Sequence, residues 1–213
     1  MATDAMVDTR DMIVVHTALL RELRLAPRLV ERGVPHAREH VAFVLDLLEH
    51  HHTGEDRLLW PVLRDRVPPE VHHLLDHAGD QHREIEELVD AARSEPAGGH
   101  LATLLHRLHD ALAEHLDAEE RDILPLAALH LTSAEWAAIG ENGATAVPRT
   151  KLPLLFGMLM FEGDPDVIRH MLASAPPLAR ALLPLIAPRA YAHYCGRVHG
   201  TRTPSTPLNP DPE

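Results

Sequence analysis

Apolar residues recur with helical spacing along the first part of the chain, in four long amphipathic segments. An apolar residue every three or four positions is typical of a helix that buries one face. Glycine and proline separate the segments, so the pattern predicts helices over residues 9–32, 35–67, 70–94 and 100–129. Because the connections are short, we expect consecutive helices to lie antiparallel. The predicted fold class is all-α, an up-down four-helix bundle with an additional C-terminal helical segment.

The chain is expected to divide into three parts. Residues 1–131 form the predicted bundle, residues 132–200 form a helical extension that packs on it, and residues 201–213 form a disordered tail. Thr132 and Glu135 have the spacing of a capping box, which predicts a new helix directly after the bundle. The tail holds four prolines among polar residues, and such a composition does not support a packed core.

One short motif occurs twice, once in the second and once in the fourth predicted helix. His51 precedes Glu55 by four residues, and His115 precedes Glu119 by the same spacing. In each copy a second acid follows directly, and a proline stands six residues after the first carboxylate. Residues i and i+4 share a helix face, so each copy directs an imidazole and a carboxylate to one point. Two such helices facing each other supply the mixed ligands that a pair of transition-metal ions requires. The prolines predict a kink or fraying beyond each motif.

Two further histidines, His16 and His82, stand at the same height as the motifs. A lone histidine on an apolar helix face is more often a hydrogen-bonded core residue than a ligand. However, the histidines of the first two helices stand 17 and 18 residues from Gly33 in the turn between them. Those of the third and fourth helices stand 16 and 17 residues from Gly98. At about 1.5 Å per residue, the four imidazoles share one level of the bundle. The candidate metal ligands are therefore His16, His51, Glu55, His82, His115 and Glu119.

The other histidines of the bundle have weaker claims. His73 and His77 have the spacing of a metal-binding pair, but they lie close to the preceding turn, and we expect them to be exposed or to orient ligands. His40 is expected to line the bundle below the site. Four more are expected to be solvated: His50, His52, His106 and His109. The second acids of the motifs, Asp56 and Glu120, are expected to orient imidazoles or to cap the metal pocket rather than to bind metal.

Composition and charge exclude several classes of protein. The net charge of −12 argues against nucleic acid or an anionic membrane as a partner. Aromatic residues are only 3% of the chain, which favours helices over sheets. The single cysteine, Cys195, excludes an internal disulfide and favours a reducing, cytoplasmic location. Neither an export signal nor an apolar stretch of membrane-spanning length is recognised, so we expect no membrane association.

Residues 10–130 resemble the hemerythrin-like family that carries the His-His-Glu cation-binding domain. The family has a histidine on helix 1, His-x3-Glu on helix 2, histidine on helix 3, and His-x3-Glu or Asp on helix 4, and the six candidates meet this pattern. The resemblance implies that Glu55 and Glu119 bridge two iron ions and that four histidines are terminal ligands. Oxygen-carrying hemerythrins have a fifth histidine one turn earlier on helix 3, where this chain has Ala78. The resemblance therefore implies additional open coordination positions.

These observations predict a non-haem di-iron protein that binds dioxygen, peroxide or nitric oxide for sensing, storage or detoxification. One alternative is a di-iron oxygenase or oxidase acting on an organic substrate beneath the extension. Another is a metal-responsive interaction module, which a large exposed apolar patch on the extension would favour. The expected cofactor is two iron ions, although imidazole and carboxylate ligands also accept zinc or manganese. The expected partner is a small diatomic or peroxide ligand; the oligomeric state is left open.

The C-terminal extension is expected to cover the bundle and to restrict access to the metals. Its predicted packing face consists of Phe156, Met158, Met160 and Phe161. Five further polar and aromatic residues could approach one end of the bundle, mostly as surface or interface residues. That one of them completes the metal site is the less favoured alternative. The five are His170, Tyr191, His193, Tyr194 and His199.

Overall fold

The computed structural model of the protein describes residues 6–96, 98–173 and 175–204. Within these ranges every regular element is a helix. The α-helices are α1 (Arg10–Glu31), α2 (Ala37–Leu58), α3 (Trp60–Arg66), α4 (His72–Ser94), α5 (Gly99–Ala118), α6 (Leu124–His130), α7 (Ser133–Gly143), α8 (Leu152–Met160), α9 (Pro165–Met171) and α10 (Pro177–Val198).

The four predicted amphipathic segments form the bundle. The first segment is α1, the second is α2 with α3, the third is α4, and the fourth is α5 with α6. α5 packs along both α1 and α4, and α2 packs against α1 and α4. The faces that meet are apolar, with leucines such as Leu48, Leu105 and Leu112 fully buried. Gly33 ends α1 with a positive φ of 57°, a conformation that glycine adopts without strain. The predicted all-α bundle is confirmed.

Both motif-bearing segments are interrupted where their prolines stand. α2 ends at Leu58, and Pro61 lies in the first turn of α3. α5 passes into a π-helical turn over Glu119–Ile123, after which Pro125 lies in the first turn of α6. Proline removes one backbone donor and crowds the preceding turn, so a regular α-helix does not continue through it. The expected kink beyond each motif is therefore confirmed, and one of the two breaks directly adjoins the site.

The extension contacts the bundle through polar and apolar side chains. The capping box is present, with the Thr132 hydroxyl accepting from the backbone N–H of Glu135 at the start of α7. The indole of Trp136 donates to Asp11 of α1 at 3.0 Å. α8 packs on α10, and both α8 and α9 contact α1. Met158 is buried at this junction.

The remaining members of the predicted packing face are partly buried against the core, namely Phe156, Met160 and Phe161. The division at residue 131 remains a prediction, and most of the tail predicted to be disordered lies outside the described residues. In the described part of the chain, no helix combines the length and apolar character needed to cross a membrane.

Candidate metal centre

Three segments of the bundle direct side chains to a common point. α1 contributes His16, α2 contributes His51 and Glu55, and Glu119 begins the π-helical turn after α5. One donor atom from each of these four residues lies within 4.8 Å of the others. His16 Nε2 is 3.4 Å from Glu119 Oε2, and His51 Nε2 is 3.5 Å from Glu55 Oε1. These side chains form a first group of nitrogen and oxygen donors.

A second group adjoins the first and shares one of its carboxylates. It consists of His52, Glu55, His82 and His115, again with donor atoms within 4.8 Å of one another. Glu55 directs Oε1 toward the first group and Oε2 toward His82, at 3.6 Å from its Nε2. Glu119 Oε2 also lies 3.8 Å from His115 Nε2, so both carboxylates stand between the two groups. The structure thus brings all six predicted residues together. We call them, with His52, the bundle cluster.

His52 corrects the sequence analysis, which predicted a solvated side chain. The residue is only 7% exposed, and its ring stacks on that of His82 with centroids 4.0 Å apart. The cluster therefore holds five imidazoles rather than four. Ala78, at the position where the resemblance implies a fifth histidine, is buried without a ligand atom, and the fifth imidazole comes from α2 instead. The run of three histidines from His50 was the signal that could have identified it.

His50 is a second correction, since it was also predicted to be solvated. Its Nε2 lies 2.8 Å from the backbone oxygen of Asn142 in α7. The same asparagine reaches α2 at Gly54, where a Cβ would stand 2.8 Å from Asn142 Nδ2. The glycine inside the motif therefore allows α7 to approach the helix turn that carries His51 and Glu55.

Three side-chain oxygens contact the Nδ1 atoms of imidazoles in the bundle cluster. His16 Nδ1 lies 2.8 Å from Glu120 Oε1, and His82 Nδ1 lies 2.8 Å from Asp56 Oδ1. The expectation that these two acids orient imidazoles is confirmed. His115 Nδ1 lies 3.2 Å from the side-chain oxygen of Gln81, a residue the sequence analysis did not single out. Partners of this kind fix both the orientation and the tautomer of metal-binding histidines.

The contacts at Nδ1 influence which ring nitrogen carries the proton. Asp56 Oδ1 can accept a hydrogen bond from Nδ1 of His82, and a neutral ring protonated there presents a lone pair at Nε2. The side-chain oxygen of Gln81 favours the same tautomer for His115. The two Nε2 atoms lie only 3.0 Å apart. With both rings in this tautomer, two lone pairs would face each other, and a cation bound to both would remove their repulsion.

The remaining donors of the cluster are buried without hydrogen-bond partners. Both oxygens of Glu55 and both oxygens of Glu119 are unpartnered, as are the Nε2 atoms of His16, His51 and His52. Buried polar atoms are nearly always hydrogen-bonded, because leaving one unpaired costs roughly 1–3 kcal/mol. So many unpaired donor atoms at one point fit a set of metal ligands.

Burial controls the protonation of the cluster. It lowers the pKa of His51 and His52 well below their usual range, with neighbouring imidazoles adding to the effect. It lowers the pKa of His115 to about 2. Burial also raises the pKa of Glu55, where the charge of Glu119 adds to the effect, and it raises the pKa of Glu119. The imidazoles of His51, His52 and His115 are therefore neutral at pH 7, the form that binds metal, and the two carboxylates require a positive charge to ionise fully.

The other histidines considered in the sequence analysis contribute no donor atom to the bundle cluster. His73, His77 and His106 are exposed, and His109 is half-buried beside Asp110. His40 is buried and lines the bundle as expected. In the extension His170 and His193 are exposed. Three further residues of the extension gather near His40 instead, namely Tyr191, Tyr194 and His199.

Comparison with known proteins gives one match, which is to a family model. No curated protein and no solved structure matches the chain significantly. A family model described as the Hemerythrin HHE cation binding domain matches residues 8–127, which contain every residue of the bundle cluster. The chain therefore belongs to the hemerythrin family, and its clusters of histidine and glutamate indicate a cation-binding site.

Proposed function

We propose that the protein is a non-haem di-iron protein that binds dioxygen or a related small oxidant, such as peroxide or nitric oxide. The observation that carries the proposal is a pair of donor groups that share Glu55. One carboxylate with its two oxygens directed to different groups suits two cations rather than one. The 3.0 Å contact between His82 Nε2 and His115 Nε2 supports a cation in the second group.

The two donor groups differ in their number of imidazoles. The second group has three, from His52, His82 and His115, whereas the first has two, from His16 and His51. Since the carboxylates of Glu55 and Glu119 lie between both groups, the first group has one protein ligand fewer than the second. We therefore place the small ligand on the side of His16 and His51. A pair of iron ions bound in the cluster would supply electrons and an open coordination position for such an oxidant.

The fifth imidazole changes one expectation of the sequence analysis. Four histidines implied more open coordination positions than an oxygen-carrying hemerythrin has. His52 restores the count to five, so that argument no longer applies. Sensing, storage and detoxification remain the proposed roles. Iron is proposed over zinc or manganese because the donor set accepts all three but only a redox metal serves an oxidant.

Elemental analysis with optical spectroscopy tests the proposal. Wild-type protein should contain two more iron ions per chain than a Glu55→Ala variant. In air, a ferric pair should give near-ultraviolet charge-transfer bands that bleach on reduction. These bands should be absent from Glu55→Ala and present in Glu49→Ala, which removes an exposed acid of the same helix. A cluster that takes up only zinc from iron-containing medium, or a spectrum unaffected by reductant, would refute the proposal.

The enzyme alternative requires a space for an organic substrate beside the cluster. Two cavities in the described part of the chain have volumes of about 260 and 220 Å³. The first lies at the turn between α1 and α2, and the second lies between α1 and the start of α9. Neither is lined by a residue of the bundle cluster, so neither supports a substrate held there.

The interaction alternative has one observation in its favour. Four large apolar residues stand exposed at helical spacing on α10: Leu178, Leu182, Leu185 and Ile186. An apolar face of this kind is typical of a contact surface. It makes a metal-responsive interaction module the second candidate function. Light scattering with and without bound metal, on wild type and Leu185→Ser, tests it for self-association. A mass increase that requires both metal and Leu185 would support it, and a monomer under all conditions would refute self-association.

A cytosolic location is part of the proposal. We further propose that the extension restricts access to the bundle cluster. α8 and α9 contact α1, the helix that carries His16, and this supports a covering role. If the extension restricts access, deletion of residues 150–213 should change the rate of reaction with peroxide at equal metal content. An unchanged rate would count against a covering role.

A further inference from the structure

A second cluster of donor atoms lies where the extension meets the bundle. Glu22 comes from α1, His40 from α2, and His199 directly follows α10. One donor atom from each lies within 4.8 Å of the other two. Glu22 is 0% exposed, His40 is 1% exposed, and the His199 side chain is 5% exposed. We call these three residues the junction cluster.

The atoms that face each other in the junction cluster have no hydrogen-bond partner among the described residues. They are Glu22 Oε2, His40 Nε2 and His199 Nε2. Oε2 of Glu22 lies 3.7 Å from the nitrogen of His40 and 3.6 Å from that of His199. Hydrogen bonds between nitrogen and oxygen span about 2.7–3.2 Å, so these separations are too long. They fall within the 3.4–3.8 Å range of the histidine–carboxylate separations in the bundle cluster.

The opposite ends of two of these side chains, Glu22 and His40, are held in place. Arg21 Nε donates to Glu22 Oε1 at 2.9 Å, and the hydroxyl of Tyr191 donates to the same oxygen at 2.5 Å. His40 Nδ1 lies 2.8 Å from the hydroxyl of Tyr194. Each of these contacts leaves the inner atom directed at the shared space. This is the arrangement by which outer partners orient the ligands of a metal ion.

The charges around the cluster also favour a cation. Arg21 donates to both Glu22 and Glu162, at 2.9 Å each, so two carboxylates share one guanidinium. Neither carboxylate therefore has the guanidinium to itself. A cation bound beside Oε2 of Glu22 would supply further positive charge to this buried carboxylate.

We propose that Glu22 Oε2, His40 Nε2 and His199 Nε2 bind a single divalent transition-metal ion, separate from the pair in the bundle. Two imidazoles and one carboxylate are a ligand set used for zinc and for ferrous iron, and they leave a further position open to water. Along α1 the junction cluster lies about 9 Å from His16, and along α2 about 16 Å from His51, at 1.5 Å per residue. The ion would join the bundle to the end of α10.

Zinc loading tests this assignment independently of the bundle. Chelator-treated full-length protein is reloaded with Zn²⁺, freed of excess, and its zinc content is measured per chain. His199→Ala should bind one zinc ion fewer than wild type, and so should His40→Gln. The control is His193→Ala, which removes an exposed imidazole of α10 and should match wild type in zinc content. Circular dichroism verifies that each variant keeps its helices.

The outcome does not depend on the proposed di-iron function. Glu55→Ala should lower metal at the bundle and leave the zinc at the junction, whereas His199→Ala should do the reverse. Equal zinc content in wild type, His199→Ala and His40→Gln would overturn the proposal. If either variant fails to fold, anomalous diffraction at the zinc edge of wild-type crystals decides. A peak among the three side chains supports the site, and its absence from a zinc-loaded crystal overturns it.

Discussion

The bundle cluster and the junction cluster use the same donor chemistry but are encoded in different ways. The donors of the bundle cluster come from helices that pack side by side, and two pairs of them share the i,i+4 spacing of a single helix face. The junction cluster joins α1, α2 and a residue beyond α10, with Glu22 and His199 separated by 177 positions. No local spacing connects them. The difference teaches that a repeated helical motif can be recognised from the sequence, whereas a site closed by tertiary contact cannot.

The two clusters also differ in what surrounds them. The bundle cluster holds five imidazoles and two carboxylates with no cationic side chain among its donors. The junction cluster lies against Arg21, which already binds Oε1 of Glu22. A metal ion therefore has more negative charge to neutralise in the bundle than at the junction. We expect the bundle to bind metal more tightly and the junction ion to be removed first by a chelator.

The largest expected effect comes from Glu55→Ala. Glu55 is the carboxylate common to both donor groups, so its removal should reduce bundle metal from two ions to nearly none. The fold should survive, because both oxygens of Glu55 are buried without a hydrogen-bond partner and their loss leaves no new unpaired group. Elemental analysis after size exclusion measures the loss, and Glu49→Ala is the control. Retention of two bundle ions would show that Glu55 is not a bridging ligand.

His52→Ala should have the next largest effect, since it removes one of the three imidazoles of the second group. We expect that group to lose its ion while the group of His16 and His51 retains one. The matched control is His106→Ala, which removes an exposed histidine from α5 and should keep the wild-type metal content. If His52→Ala and the control bind equal metal with equal affinity, His52 is a packing residue and four histidines suffice.

His52 also shows where sequence reasoning reached its limit. Adjacent residues on a helix point about 100° apart, so the helical pattern allows only one of His51 and His52 to face a narrow site. The bundle cluster is wide enough for both, because two donor groups lie side by side. The repeat identified four of the seven residues, and the shared level added His16 and His82, but neither contained information about the width of the site.

The junction cluster could not be predicted for a different reason. Arg21 and Glu22 are adjacent charged residues, which usually indicate a solvated helix face, yet they are 3% and 0% exposed. Their burial depends on α8 and α10, which cover α1 at that height. From the sequence, Tyr191, Tyr194 and His199 could approach one end of the bundle, mostly as surface or interface residues. The sequence alone could not place them opposite Glu22, because the path of the extension is set by packing and not by periodicity.

A smaller effect is expected from Asp56→Asn, which changes the charge behind His82 without changing the shape of the side chain. The amide oxygen can still accept from Nδ1, but a neutral acceptor makes the imidazole a weaker ligand. We expect metal affinity at the second group to fall by about 10–100-fold, the usual cost of losing such a partner. Competition with a chelator of known affinity measures the change. Asp46→Asn, at an exposed position of the same helix, should leave the affinity unaltered.

Gly157→Ala tests the difference between the two clusters by disturbing helix packing, and it should have the smallest effect on metal binding. A Cβ at Gly157 in α8 would lie 2.2 Å from the backbone oxygen of Ala187 and 2.7 Å from Tyr191 Cβ, so α8 and α10 must separate. Overpacking of this kind costs about 1–3 kcal/mol of unfolding free energy. The control is Gly79→Ala in α4, where no atom lies within 4 Å, and it should stabilise the protein by roughly 0.5–1 kcal/mol.

The two clusters should respond differently to that change. The displaced α10 carries His199 away from α1, so the junction should hold zinc less tightly in Gly157→Ala than in Gly79→Ala. The bundle cluster uses no residue of α8 or α10, so its metal content should be the same in both variants. Urea unfolding and zinc titration measure the two quantities. A parallel loss at both clusters would mean that the extension supports the bundle as a whole, and the independence of the two sites would then be wrong.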